Sequence, residues 1–451
     1  MRRAAFGVAA VVLREVARRC GATSGRDVVL LVGAGGNGGD ALWAGAFLRR
    51  RGVAVTAILL DPERAHPAGL AALLRVGGRI GDASALPGAD LVVDGIVGLA
   101  ARGGLRADAA ALVTAAQAPI IAVDLPSGVD PDTGAVSGAA VRAEVTVALG
   151  ARKPVHLLAP VHCGRVELVP LGLELPVSNL RSLERAEVGA LWPVPGPRDD
   201  KYTQGVVGIV AGSADYPGAA VLCSGAAVAA TAGMVRYIGT AKDAVLARWP
   251  EVVAVDDLAD ADRVQAWAVG PGLGTGEAAV AVLEHVLAAG VPVLVDADGI
   301  TVLARDPELL EGHRGPVLLT PHAGEFARLT GEAPGEDRVA AVREAAQRFN
   351  ATVLLKGHTT VIAAPDGSVL VNSAPGAWAA TAGSGDVLSG VVGALLAAGL
   401  DPLTAAGAGA HVHGLAAEIA ADGAPASAST LLAHLSGAIR RVRGGEDGSR
   451  P

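Results

Sequence analysis

The chain has 451 residues, of which 51% are hydrophobic and 18% charged, and a formal net charge of −8. Such a length allows roughly two to four domains of ~100–200 residues each. The composition excludes a disordered chain, and the acidic balance, with no basic block to offset it, excludes nucleic acid as the main partner. Aromatic residues make up only 3% against 61 glycines, so cores of closely packed Ala, Val and Leu are expected. Cys20, Cys163 and Cys223 are far apart and form no CxxC, which reads as reduced thiols in the cytoplasm.

From the N-terminus, Arg2-Arg3 followed by Ala4 to Leu13 imitates a short signal peptide, but Arg14-Glu15 and Arg18-Arg19 continue at helical spacing. An amphipathic helix is expected there. Apolar runs elsewhere stay short of the ~18 residues needed to span a bilayer, so no membrane partner is expected. Short Val/Ile/Leu runs follow at Val28–Val32, Val53–Leu60, Leu91–Val93, Ile120–Val123 and Val145–Leu149. They resume at Val206–Val210, Val293–Val295, Val317–Leu319 and Val353–Leu355, always between Ala-rich helical stretches. Buried parallel strands of α/β sheets have this pattern. Between them, Leu175 to Lys201 is rich in proline and polar residues and is the linker candidate. It separates a first domain over 1–180 from a second over 195–445, and the polar tail from Gly444 is expected to fray.

In the first half, the strand Val28–Val32 opens into Gly33-Ala34-Gly35-Gly36-Asn37-Gly38-Gly39-Asp40 before a helix. A glycine-rich turn between strand and helix suits a phosphate-bearing ligand. It is not GxGxxG followed by a ribose-binding acid, which argues against a dehydrogenase. Two further strand ends carry oxygen groups: Val93-Asp94-Gly95-Ile96-Val97-Gly98 and Val123-Asp124-Leu125-Pro126-Ser127-Gly128. A single Asp after a strand is often a helix cap. Three strand ends with the same habit favour a ligand crevice.

These segments resemble the signatures of the NAD(P)H-hydrate epimerases, which interconvert R and S forms of nicotinamide cofactors hydrated at ring carbon 6. The resemblance implies a Rossmann-like three-layer domain. It assigns Gly36, Asn37, Gly38, Gly39 and Asp40, with Gly98, Leu99, Ala100, Ala101, Arg102, Gly103 and Gly104, to the hydrated cofactor. Asn37, Asp94 and Ser127 would hold K+, and Asp124 would be the acid/base at the ring. Oxygen ligands suit such a hard cation. Gly36 stands where the family has Asn, and Ala41 where it has Gly. Relatives carry further residues ahead of Arg3-Ala4-Ala5-Phe6-Gly7, so a trimmed epimerase half or an upstream start is expected.

The second half brings more strand-end motifs: Tyr216-Pro217-Gly218-Ala219, Gly270-Pro271-Gly272-Leu273-Gly274, Val295-Asp296-Ala297-Asp298 and Thr320-Pro321-His322-Ala323-Gly324-Glu325. Then come Lys356-Gly357-His358-Thr359-Thr360 and Thr381-Ala382-Gly383-Ser384-Gly385-Asp386. Glycines and a helix start at the last motif bring N–H groups to an anion, and the carboxylate of Asp386 suits a base stripping a hydroxyl proton beside a phosphate. Lys356 can neutralise polyphosphate. Glu325 is either a ligand of a divalent ion such as Mg2+ or a solvent-facing first-turn residue. His322 reads as a substrate contact, and His411 and His413 as packing. Asp296 and Asp298 are ligands or turn-formers.

Together these segments resemble the ADP-dependent NAD(P)H-hydrate dehydratases, a branch of the ribokinase-like superfamily. The resemblance implies that Lys356, Gly357, His358, Thr359, Thr360, Gly383, Ser384 and Gly385 bind ADP or ATP. Ala219, Gly274, His322 and Asp386 would meet the hydrated nicotinamide. Asp386 would deprotonate the ring hydroxyl, a phosphoryl group would transfer to it, and phosphate would leave to restore NADH or NADPH. The fold expected is α/β in two domains, Rossmann-like then ribokinase-like, acting on NADHX, NADPHX and ADP, with the protein a homo-oligomer. Two rivals stand: a ribokinase-like vitamin kinase of the hydroxymethylpyrimidine type, and a first half that binds without catalysing.

Overall fold

The computed structural model describes residues 1–230, 233–261, 263–311, 313–374 and 376–444. Residues 445–451, the end of the polar tail, lie outside the described residues. The chain forms two compact units, Met1–Val177 and Ser178–Pro451.

The first unit is built on β1 (Asp27–Val32), β2 (Ala54–Leu59), β3 (Arg79–Gly81), β4 (Leu91–Gly95), β5 (Ile120–Val123), β6 (Val145–Leu149) and β7 (Arg165–Val169). All pair in parallel, in the order β3-β2-β1-β4-β5-β6-β7. The strand order reverses between β1 and β4, which opens a crevice at their C-terminal ends. Leu30, Leu31, Val93 and Val123 are fully or almost fully buried, because helices cover both sheet faces. The signal-like N-terminus is the helix Arg2–Cys20, which lays Ala5, Val8 and Val12 against the core. Among the described residues no helix is long and apolar enough to cross a membrane.

The second unit holds β8 (Leu180–Arg181), β9 (Val206–Val210), β10 (Met234–Ile238), β11 (Val253–Val255), β12 (Ala266–Val269), β13 (Val293–Val295), β14 (Val317–Leu319), β15 (Thr352–Leu355), β16 (Thr359–Ala363) and β17 (Val369–Ser373). Their order is β11-β10-β9-β12-β13-β14-β15-β16-β17-β8. From β11 to β15 the pairing is parallel; β16 turns back antiparallel to both β15 and β17. The proline-rich stretch carries more structure than its composition suggests. Within it β8 pairs with β17, and the helix Arg185–Leu191 buries Val188, with Trp192 just past its end, in the core.

Candidate active sites

In the first unit the turn after β1 starts the helix Gly36–Arg49. Its tightness explains one glycine: a Cβ on Gly38 would stand 2.0 Å from the carbonyl oxygen of Gly33. Asn37 donates through Nδ2 to the carbonyls of Val97 (2.8 Å) and Val123 (2.7 Å), lacing the ends of β4 and β5 to this helix. Asp94 is 1% exposed and accepts from Ile96 N (3.1 Å), Ser127 N (2.8 Å) and Ser127 Oγ (2.7 Å). Burial pushes its pKa up, those hydrogen bonds oppose the rise, and among the described residues no cationic side chain contributes. Asn37, Asp94 and Ser127 therefore meet through Val97, whose N–H donates to Ser127 Oγ at 3.1 Å. A buried carboxylate with only neutral partners, beside hydroxyl and amide oxygens, fits a hard monovalent cation.

Asp40 is also buried, and among the described residues its Oδ1 has no hydrogen-bond partner. Burial chiefly, with the nearby Asp124 charge, raises its pKa to about 6. Gly36 at the helix start is exposed, whereas Gly38 and Gly39 are buried. In the loop Gly98–Gly104, Arg102 donates to the carbonyls of Leu99 and Ala101 (both 2.9 Å) and to Asp132 (2.8 Å). Its guanidinium shapes the loop, in which Ala100, Gly103 and Gly104 are exposed.

Asp124 directly follows β5 with φ 68, a left-handed conformation that is strained for a residue other than glycine. Its Oδ1 accepts from Leu149 N (2.9 Å) and from Lys153 Nζ. His156 Nε2 is 2.7 Å from the Asp124 carbonyl oxygen. Sequence reasoning missed Lys153 and His156; the one available signal was a Lys-Pro just beyond the β6 strand end, where other site residues also sit.

In the second unit a cavity of about 570 Å³ is lined by His322, Lys356, Gly357, His358, Thr360, Ser384, Gly385 and Asp386, together with Asp296, Glu325 and His413. Gly383, φ 83, stands at the start of the helix Ser384–Ala397, and Asp386 lies in its first turn. Asp296, 1% exposed, accepts Lys356 Nζ on Oδ1 (2.6 Å) and Ser389 Oγ on Oδ2 (2.8 Å). Glu325 Oε2 lies 3.7 Å from the same ammonium. Burial alone would lower the Lys356 pKa, but Asp296 and Glu325 outweigh it and the net shift is upward. Asp386 is pushed up to about 6, first by burial and then by the Asp296 charge. A base of that strength is ionised at neutral pH yet still takes a proton readily.

Several candidates have structural partners. His322 caps the helix Ala323–Thr330, its Nδ1 accepting from Gly324 N (3.0 Å) and Glu325 N (3.2 Å), while its own N–H donates to Glu325 Oε2 (2.8 Å). It still lines the cavity. Glu325 is a first-turn residue but is buried, not solvent-facing. Asp298 is a turn-former that accepts from Gly274 N (2.8 Å). Ala219 packs close to Gly272 of that loop. Thr359 is buried at the start of β16, and its carbonyl accepts from Arg338 (2.9 Å). His413 does more than pack: its Nε2 is 2.9 Å from the Ser384 carbonyl oxygen, bracing the glycine turn. Burial lowers its pKa to about 4, so it is neutral there. Among the described residues, no three acidic, His or Cys side chains converge to hold a metal ion.

A family model described as NAD(P)H-hydrate dehydratase matches residues 207–441, and one described as YjeF-related protein N-terminus matches residues 1–155. The bifunctional NAD(P)H-hydrate repair enzyme Nnr of Mycobacterium leprae is 55% identical over 447 residues, covering 97% of this chain and 94% of that protein. The chain belongs to the bifunctional NAD(P)H-hydrate repair enzyme family. The Nnr of Mycobacterium tuberculosis H37Rv is 59% identical over 403 residues, 89% of this chain and 85% of its own. A crystal structure of the ADP/ATP-dependent NAD(P)H-hydrate dehydratase from Bacillus subtilis, co-crystallized with ATP/Mg2+, is 32% identical with a TM-score of 0.51. It covers 59% of this chain and 98% of that one. A ribokinase-like superfamily protein from Enterococcus faecalis (22% identical, TM-score 0.54, 60% and 99% covered) shares the fold of the second unit. Membership of the repair-enzyme family across both halves does not favour the vitamin-kinase rival.

Proposed function

We propose that this protein repairs hydrated nicotinamide cofactors, its first unit interconverting R- and S-NAD(P)HX and its second dehydrating S-NAD(P)HX with ADP. The observation that carries the second activity is Asp386, a carboxylate poised near neutrality at a glycine turn, in one cavity with Lys356. Hydroxide is a poor leaving group and phosphate a good one. Asp386 takes the proton from the ring hydroxyl as the terminal phosphoryl group of the nucleotide transfers to that oxygen. Lys356, steadied by Asp296 and Glu325, and the N–H groups of the turn at Gly383 and Gly385 balance the charge on the phosphates. The Ser384 N–H donates to the Thr381 carbonyl and holds the turn. Phosphate then departs from carbon 6, a proton leaves carbon 5, and the nicotinamide ring is restored.

Mg2+ would arrive on the nucleotide's phosphate oxygens, since Glu325 is committed to its helix cap and to Lys356. K+ in the first unit would be held by Asn37, Asp94 and Ser127, and would fix the ends of β4 and β5 around Asp124. We further assign the protein to the cytoplasm, as a homo-oligomer. The test is to supply the purified chain with mixed epimers and ADP, ATP or no nucleotide, and follow nicotinamide absorbance. Fast recovery of all the substrate with ADP supports both activities. Arrest at half leaves the first unit a binding module, and no recovery removes the dehydratase reading.

A further inference from the structure

The lysine against Asp124 has no part in the function proposed above. Lys153 Nζ touches Asp124 Oδ1 and donates to the Leu149 carbonyl at 2.8 Å, and the side chains are only 14% and 8% exposed. Among the described residues both donors to the Asp124 carboxylate converge on Oδ1, which leaves Oδ2 to accept from a substrate. His156 clamps the pair. Its Nδ1 accepts from Lys153 N (3.0 Å), so Nε2 bears the hydrogen and donates to the Asp124 carbonyl at 2.7 Å. Burial lowers the imidazole's pKa and keeps it in that neutral form. One ring thus fixes the strained peptide of Asp124 and the backbone of Lys153 together. Strain at such a residue persists where surrounding structure over-determines it, commonly at reactive sites.

We propose that Lys153 is the acid and Asp124 the base of the epimerase site, acting on neighbouring atoms of one hemiaminal, so that inversion proceeds by ring opening. This rests on the epimerase reading of the first unit. Carbon 6 of the substrate bears a hydroxyl and is bonded to ring nitrogen N1, so two routes invert it. If hydroxide left and water added to the other face, the acid and base would have to stand on opposite sides of the ring. If instead the ring opens, Asp124 takes the hydroxyl proton, C6=O forms, the C6–N1 bond breaks, and Lys153 gives a proton to N1. Rotation about C5–C6 turns the other aldehyde face to N1, and closure runs both proton transfers backwards. Oxygen, nitrogen and protons balance, and no redox partner is needed. The two reacting atoms share one carbon, which an acid and base in mutual contact can serve, as Asp124 and Lys153 are.

The test uses the full chain with pure R-NADHX and no nucleotide, in water enriched in heavy oxygen, with products read by mass spectrometry. S-NADHX formed faster than without enzyme and retaining its original oxygen is the expected result. One heavy oxygen gained per inversion overturns ring opening, while no enzymatic inversion at all removes the epimerase reading beneath it. Lys153→Gln should slow inversion by about a hundredfold or more, with ADP-driven dehydration of S-NADHX by the same protein unchanged. Lys153→Arg keeps the charge and the contact but gives up its proton far less readily; it should be equally impaired. Near-normal inversion by Lys153→Arg would make Lys153 only a charge partner and overturn the assignment.

Discussion

Replacing Asp386 by Asn should separate activity from stability in opposite directions. The fold raises the pKa of this carboxyl from 3.8 to about 6, mainly through burial. A group raised in this way contributes stability at pH values below 3.8 and loses it as pH climbs through about 6. At pH 8 the ionised wild-type side chain has forfeited at most about 3 kcal/mol, a shift of roughly two pKa units at 1.36 kcal/mol each. Asparagine is never charged and keeps that stability. The variant should therefore unfold at higher temperature at pH 8, by the order of 5–10 °C for a unit of this size. At pH 5 the linkage leaves only about half that free-energy gain, because the wild type is then mostly protonated. Dehydration should fall about 10²–10⁴-fold, as for loss of a general base, while epimerisation is untouched. Thermal melts at the two pH values, with both activities assayed on the same preparation, check the whole chain of reasoning. A variant no more stable at pH 8, or stabilised equally at both pH values, would refute the claim that Asp386 is held ionised at a cost.

Lys356→Met should abolish dehydration and lower stability by about 3–5 kcal/mol, because Asp296 is left buried without its cation. Adding Asp296→Asn should restore much of the stability and none of the activity, read by denaturant midpoints and turnover. If Asn37, Asp94 and Ser127 hold K+, the wild type should melt higher in potassium chloride than in choline chloride of equal strength. Asp94→Asn should erase that difference, and equal melting of the wild type in both salts counts against the site. Gly390→Ala should destabilise by about 1–3 kcal/mol despite improved helix propensity, since its Cβ would stand 2.1 Å from the Cys223 carbonyl oxygen. A chemical denaturation curve unchanged from the wild type would contradict that packing.

The sequence by itself determined the sheets' central strands, because strands buried on both faces read as near-continuous Val/Ile/Leu runs, unbroken in Val28–Val32 and interrupted only by Gly208 in Val206–Val210. It also held the glycine turns, whose chemistry is local: Gly383 and Asp386 are three positions apart and their roles follow from one helix start. β10 (Met234–Ile238) and β12 (Ala266–Val269) were less legible, since Arg236, Tyr237 and Trp267 interrupt the aliphatic pattern. Only the tertiary structure decided between Asp296 and Asp298, two residues apart with the same side chain. One meets Lys356 from 60 positions away and the other caps the Gly274 loop. It alone brought Lys153 and His156 to Asp124, and His413 to Ser384 from 29 positions along the chain. Backbone conformation and burial are written in neighbouring residues, whereas a charge's partner and its pKa depend on which strand ends the sheet order sets side by side.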